Sequence, residues 1–416
     1  MESFVTFLVK TASLLALFFL LFPFIATVVS FLGGKRNKAQ FEFGNMHKEA
    51  NETADFGCII TAYRNLNIAL PAIDALLKQN YKNYHVYLIA DDCDISELAG
   101  SSFPDGKVTV LMPSEPFHAK VKSIQYAVEN YVQPHTHTVV FDADNLAAPD
   151  FLMEMNRYIQ QGYRIVQGKR TAKNLDTIYA CADATGEIYK NYIERYVPYL
   201  LGSSATIAGS GMAVETGLLK EFLYSPEIIQ LLKDGRVIVA EDKKLQNFLL
   251  NRQQVIAFAA EAVVYDEKVK AAAQVKRQRT RWLYAYFQNI PQAARLTVGG
   301  IGGFNRNLVI AGIFSLIPPL FILLFGSVLL ALINCGLLDG GWFMVMILGI
   351  VFFIGNIFWV LWLNNAPRQI WQALWGLPLF IIYQMLALFH IKQASKNFMH
   401  TQHSATVGID QVGQQQ

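Results

Sequence analysis

Hydrophobic and polar positions divide the 416-residue chain into alternating membrane-like and mixed blocks. Thr11 to Leu32 contains no charged side chain and is long enough to cross a bilayer as a helix. It is longer than the apolar core of a secretion signal, no small-x-small cleavage site follows it, and Lys35, Arg36 and Lys38 come just after. This reads as a signal anchor with those cations on the cytoplasmic side. From residue 40 to about 295 the pattern becomes mixed. Leu308 to Ile333 and Trp342 to Leu363 are again charge-free and of spanning length, joined by Asn334 to Gly341, whose only charge is Asp339. These two predict a helical hairpin with its loop outside, since that loop lacks Lys and Arg. A third apolar segment, Trp371 to Ile391, is interrupted by Gln372, Gln384 and the Gly376-Leu377-Pro378 bend, so spanning, re-entrant and interfacial readings all remain open. A true span would put the C-terminus outside, whereas Lys392 and Lys396 favour the cytosol. Thr406 to Gln416 is polar and is expected to be disordered. The expected organisation is an anchor over 1–39, a globular cytosolic domain over 40–295 ending in an interfacial helix, a membrane region over 296–391 and a polar tail over 392–416.

Within the mixed block, short apolar runs alternate with helical patterns. Gly57 to Thr61, His85 to Ala90, Lys107 to Met112 and Thr136 to Phe141 read as strands, and Leu66 to Gln79 and Ala119 to Tyr131 as helices. That alternation predicts an α/β domain with a mostly parallel sheet, in which ligands bind off the carboxyl ends of the strands. Two acidic pairs, Asp91-Asp92 and Asp142-Ala143-Asp144, fall at such ends. Neither a phosphate-binding Walker loop nor a Gly-x-Gly-x-x-Gly turn follows these strands, which removes the main support for kinase and dinucleotide readings.

Composition narrows the picture. At 53% hydrophobic residues the chain is too apolar for a wholly soluble protein. Its net charge of +3 and lack of a basic-aromatic run argue against a nucleic-acid polymer as partner. Cys58, Cys93, Cys181 and Cys335 lie far apart with no Cys-x-x-Cys pair, which fits a reducing compartment rather than a disulfide framework or a zinc site.

The chemistry concentrates in four places. Asp142 and Asp144 carry hard oxygen ligands that suit Mg²⁺ or Mn²⁺, leaving cation positions free for a diphosphate, although the same pair serves a strand cap and turn. Gly209-Ser210-Gly211 permits close backbone approach to a ligand or a simple tight turn. Glu241 and Asp242 open a helix, where carboxylates meet its positive end. Gln278, Arg281 and Trp282 share one helical face, offering an amide, a bidentate phosphate ligand and a stacking surface. On the same helix Lys276, Arg277 and Arg279 point away from that face, towards lipid head groups.

Taken in order, Asp91-Asp92, Asp142-Ala143-Asp144, Glu241-Asp242 and Gln278-Arg279-Thr280-Arg281-Trp282 resemble the motifs of membrane-integrated family 2 glycosyltransferases. That group includes cellulose, chitin, hyaluronan and poly-N-acetylglucosamine synthases and ceramide glucosyltransferase. The resemblance covers about residues 55 to 285. It implies a GT-A-type, Rossmann-like fold and an inverting transfer from UDP-glucose or UDP-N-acetylglucosamine. By the same resemblance Thr61, Asp91, Asp92, Lys120, Gln278, Arg279 and Arg281 hold the donor. Asp142 and Asp144 bind the metal, Asp242 is the base, and Glu241, Trp282, Gly209, Ser210 and Gly211 shape the acceptor side. Lys120 and Gln125 match the family's Lys-Ser/Ala-x-Ala-Leu-Asn element, with Gln125 in place of Asn. The opening Pro-Ala-x-Asn-Glu pattern appears as Thr61-Ala62-Tyr63-Arg64-Asn65, without the acid that helps read the base, and Cys93-Asp94-Ile95-Ser96 departs from Gly-Ser-x-Asp. Phe398-Met399-His400-Thr401 is similar to the gating-loop Phe-x-x-Thr.

The expected activity is transfer to a growing polysaccharide at the plasma membrane, with an oligomer or accessory protein completing a channel. The alternative is a single transfer to a lipid acceptor, giving a glycolipid. A transporter or channel subunit with a regulatory domain is a reading of another class, weakened because the spans lack Asp, Glu, Lys and Arg. A catalytically dead scaffold is disfavoured because all four motif groups keep their chemistry.

Overall fold

The computed structural model describes residues 4–45, 53–98, 103, 106–234, 238–337, 340–388 and 407–412, the side chains of 34–45, 378 and 379 excepted. Asp339, Lys392, Lys396 and the Phe398 to Thr401 stretch lie outside the described residues.

Among them, eight strands form one sheet in the order β3-β2-β1-β4-β7-β6-β8-β5. They are β1 (Phe56–Tyr63), β2 (Tyr84–Asp91), β3 (Val108–Leu111), β4 (His137–Asp142), β5 (Leu146–Ala147), β6 (Ile165–Ala172), β7 (Met212–Glu215) and β8 (Ile256–Asp266). The first half, β3-β2-β1-β4, is parallel, while β7 runs antiparallel to both β4 and β6. Parallel strands covered on both faces require continuous apolar runs, and all eight positions of β2 are buried. Between β6 and β8 the ladder slips at Gly168/Lys169. A Cβ on Gly168 would stand 2.7 Å from the Ala262 carbonyl oxygen, so the bulge admits only glycine without a backbone shift.

The helices are α1 (Phe4–Asn45), α2 (Leu70–Leu77), α3 (Lys120–Glu129), α4 (Phe151–Gln160), α5 (Ile178–Lys190), α6 (Val197–Leu200), α7 (Thr216–Leu223), α8 (Pro226–Lys233), α9 (Glu241–Asn251), α10 (Ala272–Gly302), α11 (Arg306–Leu316), α12 (Leu320–Leu337), α13 (Gly340–Leu363), α14 (Arg368–Ala373), α15 (Leu377–Leu388) and α16 (Ile409–Val412). A six-residue π-helical stretch, Asn191–Tyr196, joins α5 to α6. Helix α10 is continuous through residue 295, so the expected domain edge falls inside an element rather than between two.

Three helical segments among the described residues are long and apolar enough to cross a membrane: Phe4–Gly33, Leu320–Leu337 and Gly340–Leu363. The expected single span over 308–333 is divided instead. Pro318 and Pro319 lack the N–H groups a continuing helix needs, and Ile317 adopts the extended conformation favoured before proline. The Leu316 carbonyl thereby freed accepts a hydrogen bond from Tyr286 Oη at 3.0 Å. The third apolar segment is a bent pair, Arg368–Gly376 and Phe380–Leu388, turning by 62° at the Gly-Leu-Pro stretch that interrupts it in sequence. The tail is not wholly disordered as expected. Ile409 and Val412 of α16 are buried against Ala75 and Leu146, and Asp410 pairs with Lys78.

Candidate active site

Strand register brings three of the expected donor residues together. In the parallel pairing Thr61 stands opposite Asp142 on one side and Ile89 on the other, two residues short of Asp91. The chain therefore delivers Thr61, Asp91 and Asp142 to one sheet edge, at the mouth of a cavity of about 520 Å³. The cavity continues past Asp242 and Gln278 to the membrane helices. It is lined by Thr61, Asp91, Lys120, Asp142, Asp144, Gly209, Glu241, Asp242, Gln278, Arg279, Arg281 and Trp282, twelve of the predicted positions. Asp92, Ser210 and Gly211 do not line it. Asp92 turns away to pair with Arg64 Nε at 2.6 Å, and both residues have positive φ, 56° and 62°. Ser210 Oγ is buried and its carbonyl takes a bond from Gln167 Nε2 at 3.1 Å. Gly211 donates to the Val140 carbonyl at 2.9 Å and serves the backbone turn into β7.

Asp91 is buried, and its carboxylate accepts the backbone N–H groups of Phe117 (2.7 Å) and His118 (3.1 Å), fixing the loop that leads into α3. In the turn after β4, Asn145 Oδ1 accepts from the Asp142 N–H at 3.0 Å and Asp144 Oδ2 accepts from Glu267 N–H at 2.9 Å. Lys120 Nζ lies 2.5 Å from Asp142 Oδ1 and 2.9 Å from the Gly209 carbonyl. Burial pulls the Lys120 pKa down, but the nearby Asp142 and Glu241 carboxylates outweigh it and raise it overall. Gly209 presents that carbonyl with φ of +82°, a conformation that disfavours a side chain even though a Cβ would meet Asp242 only at an ordinary 3.5 Å.

No cluster of three or more His, Cys, Asp or Glu side chains among the described residues is placed to hold a metal. The available donors are the Asp142 and Asp144 carboxylates on the cavity wall. Hard oxygens of this kind fit a cation that takes its remaining ligands from a diphosphate and water, as Mg²⁺ and Mn²⁺ do.

Helix α9 opens at Glu241 after Ala240 in a left-handed conformation, φ 63°. Asp242 Oδ1 accepts from Lys243 N–H at 2.8 Å within this first turn, where the helix dipole favours an anion. Beside it, burial raises the Glu241 pKa, Lys120 opposes the shift and Asp242 reinforces it. Of the two neighbouring acids, Asp242 is the one beside Gly209.

On α10, Gln278 Oε1 is buried with no hydrogen-bond partner among the described residues, on the cavity wall. Arg279 departs from the expected lipid-facing orientation. It is buried in an ion pair with Asp183, and its Cζ lies 4.3 Å from the Trp282 ring centroid. A buried guanidinium needs such a partner, and Asp183 on α5 supplies it.

Two further features escaped sequence reasoning. Arg170, Asp266, Lys268, Glu187 and Arg195 form a buried ionic chain: Arg170 Nη2–Asp266 Oδ2 2.5 Å, Lys268 Nζ–Asp266 Oδ1 2.9 Å, Lys268 Nζ–Glu187 Oε2 3.5 Å, Arg195 Nη1–Glu187 Oε1 2.8 Å. Burial would raise the Glu187 pKa, but Lys268, Arg195 and Arg170 hold it well below the usual carboxylate range. The only sequence signal was the presence of charges in α5 and β8, which sequence alone could not pair. The second is the part of the cavity against the membrane helices, lined by Phe314, Ile317, Leu320, Phe321, Leu324 and Ile381, with Ser315 and Gln384 among them. It has no motif at all.

Residues 54–285 match the family model described as glycosyltransferase like family 2. Among solved structures, the chain is similar to the mannosyltransferase PcManGT from Pyrobaculum calidifontis in complex with GDP-Man and Mn²⁺, at 12% identity and a TM-score of 0.50, over 90% of this chain and 99% of that one. It is also similar to TarS from S. aureus, at 12% identity and a TM-score of 0.37, over 63% of this chain and 55% of that one. At 12% identity the likeness to PcManGT is one of fold. No curated protein matches the sequence.

Proposed function

The chain belongs to the glycosyltransferase family 2-like proteins, and within that family we propose that it transfers one sugar from a nucleoside-diphosphate donor to a hydroxyl carried by a membrane lipid. The observation that carries this reading is the continuity of the cavity. It begins at Thr61, Asp91 and Asp142, passes Asp242 and Trp282, and ends against Phe321, Leu324 and Ile381. Asn289, Ser315 and Gln384 also line this region, but apolar side chains of α11, α12 and α15 predominate there, which suits an alkyl chain, whereas a sugar polymer leaving by that route would lose water from most of its hydroxyls with few groups to replace it. The geometry thus favours the lipid alternative over the polysaccharide expectation.

Asp142 and Asp144 would hold a divalent cation, which would supply Lewis-acid stabilisation of the leaving nucleotide. Arg281 contributes further positive charge to that diphosphate, and Gln278 meets a ligand hydroxyl or amide with its unmet Oε1. Asp242 accepts the proton of the acceptor hydroxyl as oxygen attacks the anomeric carbon from the face opposite the nucleotide, giving inversion. Motif resemblance points to a UDP-sugar with glucose or N-acetylglucosamine. Because the acid expected in the Thr61 to Asn65 stretch is absent, GDP-sugars belong in the same donor panel.

We assign 1–39 to the anchor, 40–295 to the catalytic domain on the cytosolic side and 296–391 to the membrane region, with the plasma membrane as the setting. The packing of α16 on α2 supports a C-terminal segment on the catalytic side. An even number of crossings after α10 follows. Helices α12 and α13 supply two, and the bent pair re-enters.

The test is radiolabel transfer by the purified full chain with Mn²⁺ or Mg²⁺, a panel of UDP- and GDP-sugars and added membrane lipid. Label extracted into organic solvent supports the proposal. High-molecular-weight label in the aqueous residue would replace it with a polymer synthase, and no label from any donor would remove the transferase reading of this site.

A further inference from the structure

Lys190 closes α5 and lines the cavity half-buried. Its ammonium has no hydrogen-bond or carboxylate partner within contact distance among the described residues, and its near neighbour is the Trp282 ring, 4.8 Å from Nζ to the centroid. The other cations placed near it are spoken for: Arg195 pairs with Glu187 and Arg279 with Asp183. Burial lowers the Lys190 pKa, Glu194 opposes that and Arg279 adds to it, so an approaching anion relieves an existing cost.

Its neighbours along the chain reach the membrane helices. Tyr189, one residue before, accepts from Asn356 Nδ2 of α13 at 3.4 Å, and Tyr192, two residues after, shares a 2.9 Å hydrogen bond with Ser30 of α1. Lys190 is thus held where the catalytic domain meets the membrane helices. We propose that Lys190, backed by Trp282, is the recognition point for a phosphate head group on the lipid acceptor, an inference that rests on the lipid-acceptor reading above. The ammonium offers donors to a compact anion, the indole forms a wall, and the acceptor's chain runs on towards Leu324 and Ile381.

The test is equilibrium binding of octyl phosphate and octanol to the purified full chain with Mn²⁺ and saturating UDP or GDP. The expected result is a preference of about tenfold or more for octyl phosphate, reduced to about twofold or less in Lys190→Gln and retained in Lys190→Arg. The wild-type comparison stands even where a variant fails to fold. Equal binding of the two probes overturns the phosphate inference and leaves the lipid reading intact. A Lys190→Gln protein with its preference unchanged overturns it as well. So does competition by inorganic phosphate at equal concentration, which identifies a free-anion site, and so does loss of octyl phosphate binding on adding nucleotide, which assigns Lys190 to the donor. Binding of neither probe, together with label found only in aqueous polymer, sinks both readings.

Discussion

At the donor end of the cavity, Thr61, Asp91 and Asp142 are fixed by the register of adjacent parallel strands; at the membrane end, Phe321, Leu324 and Ile381 are set by helix packing alone. The donor end is polar and its groups are tied down: Asp91 by two backbone N–H groups, Asp144 by one, and Asp142 by Lys120. The membrane end is mostly apolar, and the Pro318-Pro319 break between α11 and α12 falls in its wall, between Ile317 and Leu320. Chemistry demands atoms placed to fractions of an ångström, and a sheet edge provides that. Accommodating a flexible chain demands only volume and a mostly apolar wall, which packed helices provide.

The largest effect that sharpens this contrast lies at the junction of the two ends. Asp242→Asn lowers turnover about a hundred- to ten-thousand-fold, while donor affinity measured by equilibrium binding changes little. Next comes the metal. Chelation stops transfer, and added Mn²⁺ or Mg²⁺ restores it; Asp142→Asn loses about a hundredfold or more in turnover, read in the same transfer assay. The sheet itself should also answer to acid, at the end of β4 opposite Asp142. Burial pushes the His137 imidazole, at the start of β4, down to about 4. The unfolded chain takes up a proton near pH 6.5 that the folded chain refuses until about 4, so stability is constant above 6.5 and falls through that window as pH drops. The loss is on the order of 2–3 kcal/mol, and His137→Leu flattens it in pH-dependent unfolding curves. The smallest effect concerns the membrane end: Ile381→Ser raises KM for a lipid acceptor about tenfold and KM for the donor far less.

The same contrast governs what could be read in the sequence. The donor end was legible because a strand and the carboxylate that ends it are contiguous, as in Val139 to Asp144, and because the face shared by Gln278, Arg281 and Trp282 follows from helical spacing. Arg279 was misplaced because its buried partner, Asp183, is far away in sequence, and helical phasing says nothing about a partner on another element. The long apolar run from Leu308 hid its own break, since hydropathy counts Pro318 and Pro319 among apolar neighbours while backbone hydrogen bonding does not tolerate them. Ser210 and Gly211 were grouped with Gly209 by motif, yet only Gly209 faces the cavity because the turn into β7 commits the next two residues to backbone contacts. The apolar end had no local signature, being drawn from α11, α12 and α15 at once.

The central claim, that the cavity joins strand-end carboxylates to a lipid-filled end, is tested most directly by photo-crosslinking. An alkyl lipid carrying a diazirine on its chain is added to the full chain with nucleotide and Mn²⁺, and adducts are mapped by mass spectrometry. The account predicts adducts on Phe321, Leu324 and Ile381. Adducts confined to outward-facing positions such as Leu329 and Phe352 would contradict it, because the lipid would then be touching the outer surface of the helices and not the cavity.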